Sequence, residues 1–121
     1  MATDTFLSRH LEGYPLVHAS RANLVLHVLT VPLFQLGTLA TLIALLTGAP
    51  WLALGALAMP LAMAAQARGH ALEARSPEPF TGPLNVVGRI FAEQWITFPR
   101  FVLSGGLARA WRRDEVTPVA R

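Results

Sequence analysis

Residues Ala22 to Ala67 form 46 consecutive positions without Asp, Glu, Lys or Arg. Within 36–63, Leu, Ala, Ile and Met run all the way round any helix drawn through them. That is the pattern of a helix surrounded by lipid or by other apolar helices. One break divides the block, at Thr47-Gly48-Ala49-Pro50, where Gly and Pro mark a turn. Ala22–Leu46 and Trp51–Ala67 flank it, with expected helix lengths of roughly 38 Å and 26 Å. A bilayer core is about 30 Å thick and takes about 17–25 apolar residues per crossing. The first segment is long enough. The second is short, and Pro60 can kink it.

Outside the block the pattern changes. Thr5–Glu12 reads as a short helix, interrupted at Gly13-Tyr14-Pro15. Ser20 stands where the next helix needs an N-cap. Ser76–Pro83 is a proline-rich connector, and Pro83 suits the first turn of a new helix. Leu84, Val87, Phe91, Trp95, Phe98 and Val102 then recur at steps of three or four. This stripe predicts an amphipathic helix over 83–98, either lying in the interface or packed as a third partial span. Pro99 bends it, Ser104-Gly105-Gly106 ends it, and 107–121 reads as a loose tail. The predicted fold class is all-α: one helical membrane domain over 1–106, with its apolar hairpin at 22–67.

Composition sharpens this picture. Hydrophobic residues make up 53% of the 121 positions and charged residues 14%, against about 25% charged in ordinary soluble domains. Such a chain is neither disordered nor a conventional soluble globule. All ten basic residues are Arg, so little titrates between neutral pH and Arg, and the pI of 11.1 overstates the basicity. No basic stripe with interleaved aromatics points to nucleic acid. Arg9 and Arg21 precede the hairpin, eight Arg follow it and its turn has none. Both termini are therefore expected on the cytoplasmic side of an inner-membrane-type bilayer. Helices this apolar can also pair between copies of the chain. With no cysteine, thiolate metal sites, iron–sulfur clusters and cysteine nucleophiles are excluded.

The candidate chemistry lies in histidines. His27 falls 21 residues before Gly48, and His70 falls 21 after Ala49. Equal distance from the turn of an antiparallel hairpin means equal depth, and neighbouring helix axes are about 8–10 Å apart. Two inward imidazoles can then share a metal, with bonds of about 2.1 Å. His18 precedes the helix start and can fold back towards them. Asn23 is one turn from His27, and Glu73 shares a face with His70. Glu93 is a further acidic candidate, as a ligand or as a nearby acid, or in a simple ion pair with Arg89. Imidazole plus carboxylate without thiolate suits iron, zinc or manganese. The alternative is an interfacial hydrogen-bonded network with no metal. His10 fits no position in this pattern.

The run His18-Ala-Ser-Arg-Ala-Asn23-Leu-Val-Leu-His27, then Pro32-Leu33, then Gln66-Ala-Arg-Gly69-His70 with Glu73 and Pro77, resembles a family of small membrane proteins. These are the Fe(II)-dependent 2-hydroxy fatty acid dioxygenases, and the resemblance covers residues 6–104. It departs from the family at Glu73, which stands three after His70 and not four. The resemblance implies that Fe(II) and O2 are used to shorten a 2-hydroxy fatty acid by one carbon. It makes His18, His27 and His70 the catalytic metal ligands. Glu73 and Glu93 are the acidic candidates beside them. Asn23, Arg75 and Arg89 are then candidates for substrate binding, with Arg75 or Arg89 pairing the carboxylate or else facing lipid phosphate. Two other classes fit the same residues: a non-catalytic hairpin scaffold and a zinc hydrolase of lipid esters.

Overall fold

The structure is a computed structural model that describes residues 11–116, less the side chains of Leu52, Asp114, Glu115 and Val116. His10 and most of the helix expected at Thr5–Glu12 lie outside the described residues. The chain is all-α, with no strand among the described residues.

A short 3-10 turn, Tyr14–Leu16, leads into α1, Arg21–Thr47. The helix runs through Pro32 without a break. It stops at Gly48, whose φ of 69° is the left-handed conformation that ends a helix at little cost to glycine. The return leg departs from the single helix expected over 51–67. It is 3-10 over Pro50–Leu57 and becomes α only in α2, Ala58–Ala71. A 3-10 helix rises about 2.0 Å per residue, so the tighter winding stretches this leg towards the length of α1.

The two legs lie side by side and antiparallel. Small residues let them touch: a Cβ on Gly37 would sit 2.6 Å from Gly55 O, and one on Gly55 would sit 2.6 Å from the Ala40 Cβ. Cross-leg bonds fix the register, with Thr38 Oγ1 on Met59 Sδ and Gln66 Nε2 on Thr30 Oγ1. Each pair is nearly equidistant from Gly48-Ala49, as the count from the turn requires.

After the connector come α3, Pro83–Ala92, a π-helical turn at Glu93–Thr97, and α4, Phe98–Leu103. The predicted apolar stripe does not form one buried face. Leu84 is 89% exposed and Phe98 only 5%, because the π turn shifts the helix register between them. The tail expected at 107–121 is instead helical over α5, Gly106–Val116. Gly105, at φ 85°, redirects the chain there. Leu107 and Ala110 then pack onto a core of Tyr14, Leu24, Val31, Phe98 and Phe101.

That core lies at the open end of the hairpin. Towards the tip, Leu36, Leu45, Leu46, Trp51, Leu54 and Leu61 are all at least 65% exposed. Of the described helices, α1 is long and apolar enough to cross a membrane.

Candidate metal centre

Four side chains from four stretches of chain meet at the open end of the hairpin: His18, His27, His70 and Glu93. One ligand atom from each lies within 4.8 Å of all the others. His18 comes from the loop before α1, His27 from its second turn, His70 from the end of α2, and Glu93 from the start of the π turn.

The loop carrying His18 is pinned by Glu73. This carboxylate accepts the Ala19 and Ser20 backbone N–H groups and the Asn23 amide, each at 2.9 Å. Ser20 does occupy the N-cap, but its hydroxyl has no partner. The negative end that α1 needs at its start is supplied by Glu73 from across the hairpin. Glu73 is therefore placed away from the four-residue cluster, as a cap for the loop. Asn23 is fully buried and bonds Glu73 and Val17 O, so it serves the same scaffold and does not line the cavity described below. Gly69 leaves the room for it: a Cβ there would lie 2.1 Å from Asn23 Oδ1.

Backbone carbonyls set the two buried rings. His18 Nδ1 donates to Tyr14 O at 2.9 Å, and His27 Nδ1 donates to Asn23 O at 3.0 Å. A carbonyl only accepts, so each Nδ1 carries the hydrogen, and a neutral ring then offers the lone pair of Nε2. The two Nε2 atoms are 3.2 Å apart, and both lie 3.1 Å from Glu93 Oε1. His70 Nε2 stands at 4.0 Å from the same oxygen. Three electron-rich atoms this close are held together by a shared proton or by a metal cation among them. Neighbouring ligands of an ion with bonds of about 2.1 Å lie about 3.0–3.4 Å apart. The short edges of the cluster match that spacing. The cluster can therefore hold a metal ion.

Electrostatics favour the ligand forms. Burial works to raise the Glu93 carboxyl, but the His18 and His27 rings, where Nε2 carries a proton in place of a metal, donate to it and with their charge hold it well below the usual range. Burial, with the charge of His18, lowers His70 to about 4 against the pull of Glu93. Burial and the neighbouring Glu93 raise the Tyr14 phenol well above its ordinary value.

The cluster opens on a cavity of about 390 Å³. His18, His70 and Glu93 form its floor, and Tyr14, Arg75 and Arg89 line its wall. Arg89 is held by Glu78 O and Pro79 O and lies over the Phe80 ring, 4.5 Å from its centroid. Arg75 and Arg89 form no salt bridge among the described residues, although Glu78 and Glu93 line the same cavity.

Spacing thus identified three of the four cluster members from the histidine pattern alone. Glu93 had no motif partner to mark it; its signal was an acid interrupting an apolar stripe. Tyr14 carries no such signal, since it reads as part of a helix break. No family profile, curated protein or solved structure matches this chain in comparisons with known proteins.

Proposed function

We propose that the chain is a membrane-embedded, non-haem Fe(II) dioxygenase that shortens a 2-hydroxy fatty acid by one carbon. The observation that carries this reading is the convergence of three imidazoles and one carboxylate on a cavity walled by arginines that lack a salt-bridge partner among the described residues. Iron bound there would supply the activation of O2. The overall balance needs no further reductant: one 2-hydroxy acid and one O2 give the shorter acid, CO2 and water.

The residues of the chain supply binding and orientation. His18, His27, His70 and Glu93 hold the ion. Arg89, steadied by its carbonyls and by Phe80, pairs the substrate carboxylate, with Arg75 beside it. The acyl tail lies along the apolar outside of the hairpin. That surface supports immersion in a bilayer, since contiguous Leu exposure on this scale is a liability in water. Arginine placement supports a translocated tip and cytoplasmic ends.

Oxygen uptake by the purified, Fe(II)-loaded protein with a 2-hydroxy fatty acid tests the proposal. The expected result is O2 consumption matched by the acid one carbon shorter, and loss of both iron and uptake in His70→Ala. Ester hydrolysis that needs zinc and no O2 would replace it with a hydrolase. A protein that carries no metal by elemental analysis would be a scaffold.

A further inference from the structure

The carbonyl of Gln94 is stranded within its own helix. In a π turn each carbonyl takes the N–H five residues on. Glu93 O follows that rule and accepts from Phe98 N–H. For Gln94 the fifth residue is Pro99, which has no N–H, and the Phe98 N–H is already given away. A proline ring also clashes with the carbonyl four residues back, here that of Trp95, so the widened turn lies where Pro99 demands it.

The missing donor comes from another helix. Gln35 of α1 reaches Gln94 O through Nε2 at 2.7 Å. The Gln94 side chain is fixed as well, by a reciprocal amide pair with Gln66 at 2.9 and 3.0 Å. The π turn therefore sits against the hairpin, and its first residue is Glu93. An added residue rotates the helix before it by about 100° relative to the helix after it. That offset lets Glu93 face the histidines while Gln94, Thr97 and Phe98 are buried against the hairpin.

We propose that Gln35 is a positioning residue for the metal centre: it donates to the carbonyl that Pro99 strands, and so holds the turn that aims Glu93 at His18, His27 and His70. This inference rests on reading those four side chains as metal ligands. Gln35 itself does not line the cavity, and it acts only through the backbone of the turn.

Co(II) is a suitable probe, because its visible absorption reports the ligand set. The full-length wild type, Gln35→Met and Gln35→Met/Pro99→Ala are titrated with Co(II) after metal removal in detergent. Met keeps the length of Gln and removes the donor. The Pro99→Ala change returns a backbone N–H five residues after Gln94, which that carbonyl can accept while the Phe98 N–H bond to Glu93 O keeps the turn wide. Gln35→Met is expected to keep its helical circular dichroism, to bind Co(II) about 10–100-fold more weakly and to shift the visible bands. The double variant is expected to regain the wild-type bands and most of the affinity. Unchanged bands and affinity in Gln35→Met would overturn the role of Gln35 and leave the metal centre standing. Wild-type Co(II) bands that survive His70→Ala, or no Co(II) binding at all, would overturn both. If Gln35→Met fails to fold, the double variant decides: wild-type bands support the inference, and their absence overturns it.

Discussion

Tyr14 lies flat on His18, with ring centroids 3.7 Å apart and planes 11° from parallel, and its hydroxyl donates to Glu93 Oε1 at 3.2 Å. One buried phenol thus steadies a candidate ligand by stacking and another by hydrogen bonding. It is also the only tyrosine in the chain, so tyrosinate absorbance reports it alone. Its folded pKa is raised above the ordinary 10.0. The folded state then keeps a proton that the unfolded chain releases. This stability is fully present below about pH 10 and fades as pH rises further. Ionisation of Tyr14 should coincide with loss of helical circular dichroism, well above pH 10. Titration at the ordinary pKa in folded protein would contradict the burial.

His70 makes the opposite prediction on the acid side. Its folded pKa of about 4 lies below the 6.5 of a free imidazole. The unfolded chain binds the extra proton first, so stability is full above about pH 6.5 and falls as pH drops towards 4. Metal-free protein should show a falling thermal midpoint across that window. His70→Gln should flatten the fall.

The two acidic residues should separate cleanly. Glu93→Gln is expected to lose metal, with helix content kept. Glu73→Gln should keep metal stoichiometry but lose roughly 1–3 kcal/mol of stability, because the Ala19 and Ser20 N–H groups and the Asn23 amide lose a charged acceptor. Elemental analysis beside thermal unfolding reads both. Metal loss without destabilisation in Glu73→Gln would make Glu73 a ligand.

Gly69→Ala tests the packing behind the rings. The new Cβ would meet Asn23 Oδ1 at 2.1 Å and Cγ at 3.0 Å. Asn23 is buried, and its Nδ2 donates to both Val17 O and Glu73 Oε1, so the amide cannot swing away freely. Overpacking of this kind costs about 1–3 kcal/mol. A midpoint equal to wild type would show that α1 and α2 are free to separate there.

The depth of His27 and His70 was legible because a helix converts residue count into distance, and Gly48 marks the turn unambiguously. The 3-10 winding of Pro50–Leu57 was not legible. Leu, Ala and Gly there suit either helix, and the choice is made by contact with α1 at Gly37. The facing of Glu93 was hidden for a related reason. A regular period of 3.6 places it on the wrong side, and only the extra residue ahead of Pro99 turns it inward. The helix at Gly106–Val116 is hidden in the sequence because its charges mask the small apolar face of Leu107 and Ala110. The capping role of Glu73 is not legible in sequence, since the residue stands beside His70 while its bonds run to a loop more than 50 residues away.

The four cluster residues sit at positions 18, 27, 70 and 93, so an ion held among them would clip three loops shut at a single point. Loop-closure entropy grows only slowly with length, and the long excursion through the hairpin tip is therefore tied off at little more expense than the short one. The clip acts at the end that already has a packed core, and the tip is left to its surroundings. Chelation would loosen the base while the two legs stay zipped through Gly37 and Gly55, so the ion governs one end of the molecule and the glycine contact the other.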